Sequence, residues 1–295
     1  MLIFYASCFS GAMPSFSTGE RAVSFSNALA FILERAVRYR HKAVAKNLAL
    51  AFPEKSVEER AVIAHKFYRY LADVVVEIIM LSRMSHEDLL RRFEIQGLEE
   101  VKRLMQEGRS VILLSAHQGN WEWMLAAVAV ALPYPLDALY RPLHNSAADR
   151  FFMDIRTRFR SQMIPADKAA KIILKLRKQT RAFGILGDQN PRRRDSKYWT
   201  TFMGVETPVV IGPERIAKMT SYPLFYVATE KLGRGRYRCR IEPLAQPPYS
   251  GDGEVSQQYM NAVEAHIRRQ PECWMWSHHR WRYEKKDCPE FLGIK

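Results

Sequence analysis

Val111-Ile-Leu-Leu-Ser-Ala-His-Gln-Gly-Asn-Trp-Glu-Trp-Met124 decides how the chain is read. Its first four residues are aliphatic and lie between Gly108 and Gly119, which reads as a short buried strand. Residues 121–132 then run without a helix breaker as far as Pro133. His117 therefore falls in a strand-to-helix loop. In open α/β sheets the crevice beyond the strand C-termini is where ligands bind, and Glu122, in the first helical turn, can face back toward that loop. Imidazole titrates near neutrality, and a nearby carboxylate fixes its tautomer and stabilises its protonated form, so a His-x4-Glu pair suits a general base that deprotonates a hydroxyl. The plainer reading, equally open on spacing alone, has His117 satisfying a buried carbonyl and Glu122 favouring a helix N-terminus.

Outward from this stretch the pattern alternates. Strands are expected at 93–97, 137–140, 163–165 and 182–186, with helices at 98–107, 146–160 and 168–178, so the fold class is α/β with a mainly parallel central sheet flanked by helices. Residues 223–229 and 237–244 flank Gly233-Arg-Gly235 as a hairpin, and 255–269 forms a last helix. Asp188 follows the 182–186 strand and so projects from the same sheet edge as His117, a second carboxylate competing for the partner role. Toward the N-terminus, Ser56-Val-Glu-Glu59 reads as a capping box opening a helix to about Leu81. Ahead of it, Phe25, Leu29, Ile32, Ala36 and Val37 recur at helical spacing while Arg35, Arg38, Arg40, Lys42 and Lys46 gather toward one end. Such a basic amphipathic element can lie in a membrane interface, or dock on the core with a solvated basic edge.

The chain has 295 residues, 47% of them hydrophobic, enough for a sizeable core. Its formal charge of +14 favours polyanions: nucleic acid, an anionic membrane, a phosphorylated glycolipid or an acidic carrier protein. Cys8, Cys239, Cys273 and Cys288 form no C-x-x-C pair, so free thiols are expected rather than a zinc site or a disulfide framework. Residues 1–19 are uncharged but broken by Gly, Pro and Ser, too polar for a clear spanning helix. No Walker loop, G-x-G-x-x-G, G-x-S-x-G or H-E-x-x-H occurs, which removes the usual signals of phosphoryl transfer, dehydrogenation, serine hydrolysis and zinc proteolysis.

Six ordered segments change the balance. Ser115-Ala-His-Gln-Gly-Asn-Trp-Glu122 resembles the signature of the bacterial lipid A biosynthesis acyltransferases. Asn47-Leu-Ala-Leu-Ala-Phe-Pro53, Tyr140-Arg-Pro142, Gly187-Asp-Gln-Asn190, Thr207-Pro-x-x-x-Gly212 and Pro271-Glu-x-x-Trp-Met-Trp-x-His-x-Arg280 resemble further segments of that family in its order, across roughly residues 40–283. The resemblance implies a glycerolipid acyltransferase-like domain over 86–295, behind a helical, membrane-associating region over 1–85. It implies an O-acyltransferase at the cytoplasmic face of the bacterial inner membrane, peripheral or anchored through its N-terminal region. Acyl carrier protein or coenzyme A would present the acyl donor, a lipid A precursor the hydroxyl, and neither metal nor other cofactor is expected.

On that resemblance His117 is the base and Glu122, favoured by the His-x4-acid motif, its partner, with Asp188 as alternative partner or loop-fixing residue. Arg141 would hold an anionic group or the carbonyl, with Asn120, Trp121, Arg158 and Gln189 as further substrate-binding residues and Arg156 a weaker candidate beside Arg158. Arg192-Arg-Arg194 would add a cationic patch. The cationic and aromatic C-terminal segment reads as wall or membrane-rim packing, with no nucleic acid expected. The rival readings are an acyltransferase of the same fold acting on an amino-acid lipid, a glycophospholipid or a polyene, and a non-catalytic basic lipid-binding protein.

Overall fold

A computed structural model describes residues 20–192, 195 and 197–286. The uncharged run 1–19, Cys8, Cys288, Arg193 and Arg194 lie outside the described residues. The chain opens with α1 (Glu20–Phe31), which passes into a π-helical segment (Ile32–Ala36), then α2 (His41–Ala51) and α3 (Val57–Leu81). The expected capping box starts α3: Ser56 Oγ accepts from the Glu59 amide, and the Glu59 carboxylate accepts from the Ser56 amide. A short α4 (His86–Arg92), which sequence pattern did not reveal, turns the chain into β1 (Phe93–Gln96) and α5 (Leu98–Gln106).

The αβ alternation follows as β2 (Val111–Ser115), α6 (Trp121–Ala131), β3 (Leu136–Tyr140), α7 (Ser146–Thr157), β4 (Ser161–Pro165), α8 (Ala169–Lys175) and β5 (Ala182–Leu186). Next come β6 (Lys197–Phe202), β7 (Val205–Val210), α9 (Gly212–Thr220), β8 (Leu224–Gly233), β9 (Arg236–Ala245) and α10 (Glu254–Arg269). The main sheet has the order β1-β9-β8-β2-β5-β3-β4. Every neighbouring pair is parallel except the β8–β9 hairpin. β6 and β7 form a separate antiparallel pair. Met203 and Gly204, both at positive φ, make its tight turn, a turn that a Met-Gly dipeptide advertises poorly.

The strand order explains where a site opens. From β2 the chain crosses to β3 and β4, then returns through α8 to β5, which inserts between β2 and β3, and continues past α9 to β8 on the far side of β2. These crossovers run in opposite directions along the sheet, so right-handed connections put their helices on opposite faces. A crevice is left at the C-terminal ends of β2 and β5. One hydrophobic core spans the molecule, from Leu29 and Val44 in the first helices through Ile112 and Phe183 in the sheet to Trp276. Among the described residues no helix is long and apolar enough to cross a membrane.

Candidate active site

β2 and β5 pair in register, with Ser115 opposite Leu186. Two residues beyond that pair stand His117 and Asp188, so strand register alone brings together residues 71 positions apart. His117 Nδ1 lies 2.7 Å from Asp188 Oδ1, and the His117 amide donates to Asp188 Oδ2 at 3.0 Å. The Trp274 indole donates to Oδ2 at 2.9 Å. Burial works to raise the pKa of this carboxyl, but the facing imidazole and the two other donors outweigh it and hold the acid down at about 2. An ionised Asp188 can only accept, so Nδ1 carries the hydrogen, and in the neutral form of the ring it is Nε2, on the other edge, that holds the lone pair. The His117 side chain is 18% exposed while Asp188 is 1% exposed, which leaves the imidazole accessible and its partner sealed behind it.

The loop bearing His117 is pinned on all sides. Gly119 has φ +60°, and a Cβ there would come within 2.6 Å of the Thr229 carbonyl oxygen, so only glycine fits. The Gly119 amide donates to the Cys273 carbonyl at 3.0 Å, and Met275 N to the His117 carbonyl at 3.1 Å. Tyr70 from α3 donates to the Gly119 carbonyl at 2.6 Å. The loop that carries Asp188 is fixed in turn, because buried Arg280 donates to Asn190 Oδ1 at 2.7 Å and to the Pro208 carbonyl at 3.0 Å. The Asn190 amide donates to His278 Nε2 at 3.1 Å; burial, reinforced by Arg280, pushes that imidazole down to about 4, keeping it neutral.

Of the two carboxylates, the geometry brings Asp188 and not Glu122 to the His117 ring. Glu122 does not bond the His117 ring; it is buried and takes a two-pronged ion pair from Arg156 of α7, Nε to Oε2 at 2.9 Å and Nη2 to Oε1 at 2.6 Å. The Trp121 indole donates to it as well, at 3.2 Å. In the first turn of α6, its carboxylate faces Arg156 of the neighbouring helix rather than the His117 ring. Glu122 nevertheless lines the cavity together with Arg156, whereas Asn120 does not: fully buried, it caps α6 by accepting from the Trp123 amide at 3.0 Å and donates to Glu77 at 2.9 Å. Arg158 turns away to the Leu81 carbonyl at the end of α3, 3.0 Å off. Arg156, ranked below it on sequence, lines the cavity instead.

Trp121, Arg141 and Gln189 do line the same cavity as His117, an enclosure of about 830 Å³ within the range of small-molecule sites. The Trp121 ring meets the His117 ring edge-on at a centroid distance of 5.3 Å. Arg141 is half exposed at the rim and pairs with Asp195 at 2.9 Å. Below the dyad the walls are apolar, with Leu113, Met124, Val128, Leu136, Met163 and Ile216 among them. Tyr39 and Arg40 from the α1–α2 junction complete the rim. Their place could not be read from sequence, since the left-handed turn through Arg38 and Arg40 carries no glycine to announce it. Cys239 and Cys273 are free and buried, with thiols pushed up to about 12 by burial, hence inert.

A mainly parallel α/β sheet with a His–Asp pair at the mouth of a greasy enclosure defines a class of molecule able to do base chemistry beside an apolar ligand. The sequence model of the bacterial lipid A biosynthesis acyltransferases matches residues 12–283, and the chain belongs to that family. It is 27% identical over 250 residues to the lipid A biosynthesis palmitoleoyltransferase of Escherichia coli K12, covering 83% of this chain and 80% of that protein. It is 26% identical to the lauroyltransferase of the same organism, covering 86% and 83% of the two chains. Identity to that organism's myristoyltransferase is 22%, covering 78% and 71%.

Proposed function

We propose that this chain moves a fatty acyl group from acyl carrier protein to a hydroxyl of a lipid A precursor, with His117 as general base and Asp188 as the group that orients it. His117 Nε2 takes the hydroxyl proton as the oxygen attacks the thioester carbonyl. The new C–O bond forms, the C–S bond breaks, and the imidazolium returns its proton to the departing thiolate. Asp188 holds the ring and steadies the imidazolium. Arg141 at the rim suits an anionic group of the acceptor or the carrier's phosphate, and its guanidinium presents a fork of donors for that purpose. Trp121 and Gln189 shape the mouth, and Glu122 keeps Arg156 fixed in the cavity wall.

The single observation behind this reading is the accessible imidazole, backed by a buried aspartate, opening into an apolar cavity in a chain of this family. The relatives' part in lipid A biosynthesis supports the acceptor class, and the net charge of +14 suits an acidic carrier, a phosphorylated glycolipid and an anionic bilayer. Peripheral binding to the cytoplasmic face of the inner membrane is supported by the α1 surface. Val23, Phe25, Phe31, Ile32 and Val37 are exposed there, ringed by Arg21, Arg35 and Arg38, beside the cavity rim at Tyr39 and Arg40.

The test is transfer by the purified protein from carrier-linked donors to a lipid A precursor, read by mass spectrometry beside the lipid A of cells with and without the gene. His117→Ala is expected to lower transfer by about 10²–10⁴-fold at unchanged melting temperature. An unaltered lipid A profile, with transfer to a different hydroxyl lipid, would reassign the acceptor. Full activity in His117→Ala would remove the mechanism.

A further inference from the structure

Gly184 sits in the middle of β5, where glycine is normally a poor choice because it adds chain entropy and packs nothing. Its backbone does not call for glycine, since its φ lies outside the left-handed region. Nor does crowding demand it: a Cβ built there would meet Leu136 Cδ1 at 3.6 Å and Ala138 Cα and Cβ at 3.9 Å, all ordinary contacts. What the missing side chain does is leave space. Leu113, Gly184, Ala138 and Met163 are register partners across β2, β5, β3 and β4. Register partners in parallel strands point to one face of the sheet, and all four of these residues line the cavity. Gly184 therefore makes a notch in the cavity floor, and Leu136, one row further from the dyad and also in the lining, stands behind it.

We propose that Gly184 sets the length of the acyl chain this enzyme accepts and that Leu136 is the end stop, an inference that rests on the acyl-transfer reading above. Gly184 precedes Asp188 by four residues, two of them within β5 and two just past its end, a reach of roughly 13 Å for extended backbone. Four extended residues contain twelve backbone bonds, and a polymethylene zigzag advances about as far per bond, so a straight chain running from the dyad to the notch has roughly a dozen carbons. The wall at that depth is aliphatic, which suits an unbranched hydrocarbon tail and offers no partner for a polar one.

The experiment compares wild type, Gly184→Val and Leu136→Ala with two readouts: affinity for free saturated fatty acids of graded length, and transfer from carrier-linked donors of the same lengths. Valine suits a strand and fills the notch, so Gly184→Val keeps or raises the melting temperature while its preference moves to shorter chains, with about tenfold loss for the wild-type optimum. Leu136→Ala moves the preference the other way, to longer chains. Transfer that proceeds in all three proteins with one unchanged length profile overturns the proposal and leaves the acyl-transfer reading standing. Length preferences that shift in binding as described, with no transfer by wild type from any donor, uphold the notch and overturn the enzyme.

Discussion

At the scale of single residues, the two carboxylates near His117 differ in what already occupies them. Asp188 accepts from the imidazole, the His117 amide and Trp274, whereas Glu122 is filled by Arg156 and the Trp121 indole. Replacing each by its amide therefore gives different outcomes. Asp188→Asn sets a donor against the N–H groups that now point at the carboxylate and favours the wrong imidazole tautomer, so activity falls by up to about 10⁴-fold. Its stability effect depends on pH in a defined direction. The folded-state pKa of about 2 lies below the ordinary value of 3.8, so the charged carboxylate contributes above the ordinary value and its contribution fades as pH falls toward 2. The difference in unfolding free energy between wild type and Asp188→Asn should thus shrink by about 2 kcal/mol from pH 6 to pH 2, measured by denaturant titration. Glu122→Gln instead leaves Arg156 without a counter-charge in a buried wall and costs about 3 kcal/mol of stability. Its transfer rate per folded molecule should stay within about tenfold of wild type. A loss in Glu122→Gln as deep as that expected of Asp188→Asn, with Asp188→Asn itself nearly active, would restore Glu122 as the partner.

At the scale of elements, the strands and helices around His117 were legible because each has its own local period: 111–114, 182–186 and the helix after Gly119 all sit where the sequence puts them. The pairing of His117 with Asp188 was not legible, because it depends on β5 inserting beside β2, and strand order is a property of crossovers rather than of any local pattern. Sequence placed both residues on one sheet edge, and the motif spacing then drew attention to Glu122, which its helix turns toward α7. The same limit hid β6 and β7, whose pairing is held by a turn without an Asn-Gly or Asp-Gly signal. The α1 segment was legible in composition and gains meaning from its position. Phe31 is 65% exposed and Val37 is 54% exposed, next to three outward arginines and the cavity rim. The double variant Phe31→Asp, Val37→Asp should lose binding to vesicles containing anionic lipid in a flotation assay while transfer to a detergent-dispersed acceptor persists. Unchanged flotation would remove this surface as the proposed membrane contact.

At the scale of the whole molecule, the excess of 45 Lys and Arg over 31 Asp and Glu acts on stability and on encounter with opposite signs. Like charges on one compact body repel, so added salt screens that repulsion and should leave the melting temperature unchanged or raised. The same screening would weaken the long-range attraction of the acidic carrier and phosphorylated acceptor proposed above, because the Debye length falls from about 30 Å at 0.01 M to about 8 Å at 0.15 M salt. The His117–Asp188 pair, in hydrogen-bond contact with its aspartate sealed in the protein, should be screened much less. Across that range kcat/KM with a carrier-linked donor is therefore expected to fall several-fold through KM, with kcat nearly constant and the melting temperature flat or rising. A small thioester donor, carrying far fewer charges than a protein, should lose much less. If kcat and melting temperature fell together instead, salt would be acting on the fold rather than on encounter, and the basic surface would have no part in drawing the substrates to the cavity.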